Sequence, residues 1–408
     1  MPSAARNPFE ALRHRDFRLF FIGQFISLTG TWMQVVAVGW LVLELTGSAF
    51  AVGLTSALGS LPILLFTLWG GVLADRVHRR RALVLLQSLM LLDALALGVL
   101  TVTGQVTVHW VMALAVLHGT SSAFEVPIRQ TYVMDLVGRD RLMNAIALNS
   151  SNFNLTRIVG PAVAGTVIAT AGVAPCFFVN AASFLAVLGS LALMRGGDEP
   201  RSGTSGAALA KFWEGVRYSL GLPGPRALLA LTAVYSVFGV SFITMLPVYA
   251  RGVLDTGATG YGGLMTAVGV GASAGALAMA AIGHRASRYL VIRVGGLLFV
   301  AALAISSLVR TWWLAATLFA LAGCAMVLIN VSTNTELQTR APDELRGRVM
   351  GFYSLMVLGV APFGSLQAGW VAERYGVPAT LLVGAVVCLL ATLWLTGTGD
   401  GERGTGNG

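Results

Sequence analysis

Four ionisable side chains lie inside stretches otherwise built of Leu, Val, Ala and Gly: Asp93, His118, Glu125 and Arg157. Holding a charge in hydrocarbon costs about 2.5–3.5 kcal/mol even on the lenient insertion scale, so each of them needs a reason. Asp93 and Arg157 fall near the middle of their apolar runs, at equal depth, where they could pair or serve separate roles. A carboxyl at such a depth can take up and release a proton, which makes Asp93 and Glu125 candidate carriers; a structural hydrogen bond is the alternative for Asp93. Histidine as a residue type can gain or lose a proton near neutral pH, which makes His118 a third candidate, with a packed hydrogen-bonding role as its alternative. Arg157 is suited to lining a cavity, where it would bind anionic groups or tune a carboxylate.

A second chemically distinctive stretch is Gly70-Gly-Val-Leu-Ala-Asp-Arg-Val-His-Arg-Arg-Arg81. It ends one apolar run and precedes another, so the two runs must form a tight helical hairpin with the positive cluster pinned at one membrane face. That face is expected to be the cytoplasm. Gly71 is expected to let a neighbouring helix approach closely. Asp75 sits where the chain leaves the lipid, and Arg76, Arg79 and Arg80 offer fixed charges to carboxylates or helix C-termini. Glu125, near the same face, is the expected partner of Arg76 or Arg79. Together these residues could act as a latch.

The elements that must position these groups are membrane spans. Of the 408 residues, 56% are hydrophobic and 11% charged, with a mean hydropathy of +0.76, whereas about a quarter of a soluble domain is charged. Apolar stretches long enough to cross roughly 30 Å of hydrocarbon occur near 17–44, 49–74, 82–103, 107–128, 142–171 and 174–194, then near 226–250, 258–283, 290–309, 312–334, 347–373 and 377–397. Residues 1–194 and 226–398 are thus expected to form two six-helix bundles with both termini cytoplasmic. Between them, 195–225 is a cytoplasmic linker. Leu209, Phe212, Trp213, Val216 and Leu220 fall there at helical spacing, as in an amphipathic helix lying on the membrane surface. Residues 399–408 are expected to be a disordered tail.

The net charge of +9 would ordinarily raise nucleic acid as a partner. On this topology, however, 23 of the 27 basic residues lie on one side, the exceptions being Arg157, Arg251, Arg310 and Arg374. The positive-inside rule accounts for the charge, and the partner is the bilayer. The arginines preceding residue 19 resemble a signal peptide's start, but the apolar run that follows is too long for one and is retained as the first span. Cys176, Cys324 and Cys388 all lie in apolar runs and suggest neither a disulfide nor a metal framework.

The two halves repeat one another. Thr46-Gly47 and Gly53-Leu54 recur 210 residues on as Thr256-Gly257 and Gly263-Leu264, and Ala164-Gly165 and Gly172-Val173 recur 204 residues on as Ala368-Gly369 and Gly376-Val377. Near-constant offsets are the mark of a duplicated six-helix unit. Two such bundles around a central cavity can rock, exposing one site to either side in turn. The second copy of the hinge, Gly283-His-Arg-Ala-Ser-Arg288, has lost the aspartate.

The pattern formed by Gly71, Asp75, Arg76, Arg79 and Arg80 resembles the signature between the second and third helices of the major facilitator superfamily, with His78 departing from the usual glycine. In the fifth span, Gly160, Pro161 and Gly165 resemble the Gly-Pro motif that marks antiporters and exporters in that superfamily. Phe124-Glu-Val-Pro-Ile-Arg-Gln130, with the residues that follow it to Gly165, is similar to the enterobactin-exporter-like branch. The resemblance implies an all-α fold of twelve transmembrane helices in two pseudo-symmetric bundles. It also implies proton-driven export of a sizeable organic molecule, such as a drug or siderophore. In that superfamily the first, fourth, seventh and tenth helices line the cavity, which makes Trp32, Gln34, Tyr235 and Asn330 candidate substrate contacts beside Arg157.

ATP hydrolysis is excluded within this chain. A phosphate-binding loop needs a lysine after glycine, and the sole lysine, Lys211, follows Ala210. No cofactor or metal cluster is indicated and no enzyme is expected. A monomeric multi-pass protein of the bacterial cytoplasmic membrane is the expectation. Import or facilitated movement on the same fold, and more distantly a membrane sensor, scaffold or enzyme, are the competing classes.

Overall fold

The computed structural model describes residues 9–74, 76–195, 208–282 and 286–404. Asp75 and the lost-aspartate hinge at 283–285 lie outside the described residues, as do 196–207 of the linker. Among the described residues all regular structure is helical, as lipid requires, because only internal hydrogen bonds can satisfy the backbone there.

The first six helices are α1 (Arg15–Thr46), α2 (Ala49–Ala74), α3 (Arg79–Val102), α4 (Val108–Gly138), α5 (139–171) and α6 (Ala174–Leu193). The linker carries α7 (Ala208–Gly221). The second set is α8 (Pro223–Gly252), α9 (Gly257–Ile282), α10 (Arg288–Ser306), α11 (Trp312–Arg340), α12 (Asp343–Tyr375) and α13 (Val377–Gly404). Eleven of these are long and apolar enough to cross a bilayer. α5 falls short because Asn149, Asn152, Asn154 and Arg157 interrupt it, yet it packs between α1 and α9.

Two boundaries differ from expectation. No loop separates the fourth and fifth spans: helix continues on both sides of Gly138, whose φ of 69° is the only break between Val108 and Ala171. A left-handed residue reverses the chain in one step, and glycine adopts it without a Cβ penalty. The expected tail from 399 begins as a continuation of α13 to Gly404, since extending a helix is far easier than starting one; 405–408 lie outside the described residues. α7, expected to lie on the membrane surface, also docks along α12. Glu214 pairs with Arg348, Phe212 meets Phe352 edge-on, and a Cβ at Gly215 would lie 2.6 Å from that of Arg348.

The halves meet at the end remote from the arginine-rich hinge, here called the far end. α2 packs on α12, where a Cβ at Gly53 would lie 2.5 Å from the Ser365 carbonyl and 2.8 Å from Gly369 Cα. α5 packs on α9, where a Cβ at Gly262 would lie 2.6 Å from the Pro161 carbonyl and 2.7 Å from Gly165 Cα. Small residues permit this backbone contact, from which dispersion and weak polar forces follow. α8 and α12 each contain a π-turn, at Tyr235–Gly239 and Leu355–Gly359. Such turns loosen the regular ladder and frequently mark functional positions.

Candidate transport site

A cavity of about 310 Å³ lies between the halves. α1 to α4 supply one wall, with Gln34, Asp93 and His118; α8 and α9 supply the other, with Ile243, Thr244, Tyr261 and Met265. Most of the surface facing the cavity is apolar, so the polar atoms on it stand out, as in sites that orient an organic ligand.

Asp93 is 2% exposed. Its Oδ2 accepts a hydrogen bond from Gln34 Nε2 at 3.2 Å, and His118 Nδ1 lies 3.4 Å from the same oxygen without the alignment of a hydrogen bond. Asp93 Oδ1 and His118 Nδ1 therefore have no hydrogen-bond partner, though both are buried. Gln34 is itself fixed: Asn180 Nδ2 donates to its Oε1 at 2.7 Å, and Ser183 Oγ donates to Asn180 Oδ1 at 3.1 Å. An amide whose oxygen is occupied must turn its NH₂ to Asp93. Three of the sequence candidates are thus brought together, with Asn180 added behind them. A lone amide in the run Phe177-Phe-Val-Asn180 was the signal available for it.

Other candidates lie elsewhere. Arg157 does not pair with Asp93. Its guanidinium stacks over Trp32 at 5.8 Å from the ring centroid, and Trp32 in turn meets Phe153 edge-on. Among the described residues no carboxylate pairs with Arg157. Tyr235 is no cavity contact: it is buried within the second bundle, sharing a 2.7 Å hydrogen bond with Thr392 and packing on Phe299. Asn330 offers its carbonyl to Tyr353 Oη at 3.0 Å and does not line this cavity.

The expected partner of Glu125 is also corrected. Its Oε1 accepts from Arg129 Nε at 2.8 Å, one helical turn away, and from Gln87 Nε2 at 3.2 Å, instead of from Arg76 or Arg79. Arg79, 4% exposed, bonds Asp135 on α4, and Arg80 donates to the Ala192 carbonyl at the C-terminal end of α6. The expected spans leave Asp135 between them, whereas it lies in the last turns of α4. Gly71 faces open space. Its neighbour Gly70 makes the close approach, with a Cβ there 2.5 Å from the Ala123 carbonyl. The second bundle has a counterpart of the Arg79 cluster, Glu336 between Arg288 at 3.1 Å and Arg340 at 2.7 Å.

The Gly160-Pro161-Gly165 stretch is a two-sided packing surface. A Cβ at Gly160 would lie 2.5 Å from Trp32 Cβ on α1, and one at Gly165 would lie 3.0 Å from Gly262 Cα on α9. It holds α5 to its own half and to the opposite half together.

Two linked six-helix bundles with a polar-spotted cavity between them have the architecture of a secondary transporter. The chain belongs to the transmembrane secretion effector family of the major facilitator superfamily, whose profile matches residues 6–398. It is 30% identical to the multidrug efflux pump Tap of Mycolicibacterium fortuitum over 378 residues, covering 90% of this chain and 92% of that one. It is 24% identical to the staphyloferrin A transporter of Staphylococcus aureus, covering 92% and 94%, and 27% identical to the enterobactin exporter EntS of Shigella boydii, covering 87% and 86%. Among solved structures, a bacterial homologue of the human lysosomal transporter Spinster, inward-facing and unoccupied, shares the fold. Its TM-score is 0.75 at 14% identity, over 95% of this chain and 97% of that one. The protein is a transporter of the exporter kind and not an enzyme.

Proposed function

We propose that the protein exports a drug or siderophore-like organic molecule in exchange for protons, by alternating access, and that Asp93 carries the proton. The observation behind this reading is the buried Asp93 carboxyl on the wall of a cavity between the halves, one oxygen unpartnered and His118 beside it. An ionised carboxyl held by a single amide donor needs a compensating proton or cation in so apolar a setting. His118, whose side chain is 24% exposed, faces the cavity and can pass a proton to or from it. Glu125 suits the task less well because Arg129 already holds its charge. Arg157, stacked on Trp32 outside this cavity, has no place in this reading of the site.

The hinge face and both termini are assigned to the cytoplasm on the positive-inside rule, and the protein acts as a monomer in the bacterial inner membrane. Everted vesicles given substrate should release protons, followed with a pH-sensitive dye, and accumulate substrate when given a proton gradient. Asp93→Asn should abolish substrate-induced proton release while retaining gradient-free substrate exchange. Unchanged proton release by that variant would remove Asp93 from the mechanism.

A further inference from the structure

The turn between α1 and α2 at the far end is gripped by two charges from the opposite half. Arg251, at the end of α8, donates to the Leu43 carbonyl at 3.2 Å, in the last turn of α1. Glu373, near the end of α12, accepts from Ser48 Oγ at 3.0 Å and from the Phe50 backbone N–H at 3.1 Å, in the first turn of α2. These two residues make no ion pair with each other. Each meets a helix end of matching sign: the cation the carbonyl end of α1, the anion the amide end of α2. Gly47, at φ 63°, folds the chain so tightly that both ends lie side by side.

The surroundings favour this arrangement. Gly53 and Gly369 bring α2 and α12 into backbone contact one helical turn from Glu373, and Ser56 and Ser365 share a 3.1 Å hydrogen bond. Trp40 stacks on Tyr261 across the halves with ring centroids 6.2 Å apart. Competing charges are turned away, since Glu44 accepts from Trp40 Nε1 at 2.6 Å and Arg374 stacks on Trp370 at 4.7 Å.

We propose that Arg251 and Glu373 form a clasp that holds the far side of the transporter shut by charge-to-helix-end contacts, and that it opens each time the site faces that side. Naming that side the exterior rests on the topology proposed above; the clasp itself does not. A charge at a helix terminus shifts an equilibrium by about two- to five-fold, enough to bias a rocking bundle without locking it.

The test uses the full chain with Cys176, Cys324 and Cys388 replaced by Ala and Val42→Cys added. Val42 is fully buried, lines the cavity and precedes Leu43. A membrane-impermeant methanethiosulfonate is applied to whole cells and to everted vesicles. Glu373→Gln and Arg251→Gln should each raise labelling in whole cells about two- to five-fold, whereas Glu373→Asp and Arg251→Lys stay near the parent. Exchanging the charges, Arg251→Glu with Glu373→Arg, should label at least as fast as the double glutamine variant, because both helix ends then meet the wrong sign. Restoration of the parental rate by the exchange would show a direct ion pair and overturn the proposal. So would unchanged labelling in both glutamine variants, or an equal rise from both faces, which marks general loosening. A rise confined to everted vesicles would overturn the exterior assignment and keep the clasp.

Discussion

Gln34 connects two kinds of chemistry through one amide. Its oxygen is tied to Asn180 and its nitrogen serves Asp93, so the geometry at the carboxyl depends on a residue of α6 that does not line the cavity. Asn180→Leu keeps the volume but frees that amide to turn over. The lost bonds should cost about 1–3 kcal/mol, seen as a lower melting temperature in detergent, together with a shifted pH profile of transport. Glu125 is expected to behave oppositely to Asp93. Arg129→Gln leaves the Glu125 carboxylate, 6% exposed, with only Gln87, at a cost of about 3–5 kcal/mol. Glu125→Gln should lower the melting temperature and yet preserve substrate-induced proton release. Loss of that release in Glu125→Gln, with stability unchanged, would move the proton carrier from Asp93 to Glu125.

The helices that join the halves are built to meet at glycine. α2 meets α12 through Gly53 and Gly369, and α5 meets α9 through Gly165 and Gly262. A side chain on either surface collides in the arrangement seen here, and the collision is relieved when the far ends part. Overpacking costs about 1–3 kcal/mol, borne by the closed state alone, so the population should move roughly 5- to 150-fold towards opening. Gly53→Leu and Gly165→Leu should therefore reach the membrane folded, lose transport, and label fast at Val42→Cys from the far side. Normal transport by both would show that these surfaces never close during the cycle. On the hinge side, α7 is strapped to α12 through Glu214 and Arg348, so the linker travels with the second bundle.

As a whole, the molecule is two copies of one unit whose hinge-side ion pairs recur but whose interior charges do not. The first half carries Asp93 and Arg157 in its interior, whereas the second contributes Thr244, Tyr261 and Met265 to the shared cavity and Arg251 and Glu373 to the far-end clasp. On the proposed mechanism, chemistry and gating would be divided between bundles that move as bodies, so that a protonation in one half would be felt across the membrane. Twelve crossings would put both termini on the hinge side, as proposed above. Reporter fusions at residue 1 and residue 408 should both read cytoplasmic; a split result would break the repeat on which alternating access depends.

The helical spans and their duplication were legible in the chain, because hydrocarbon imposes length and polarity on every segment independently of its neighbours. Gly160, Pro161 and Gly165 could be singled out for the same reason, since small residues and proline act on the local backbone. Partners were not legible. Asp93 and Arg157 share a depth, but depth says nothing of azimuth, and the fold turns one towards Gln34 and His118 and the other onto Trp32. Glu125 and the arginines of the hinge share a face, yet a partner one helical turn away was nearer than any across a loop. Asn180, Arg251 and Glu373 acquire their roles only from chain segments more than a hundred residues distant, and contacts of that range exist only once the bundles have packed.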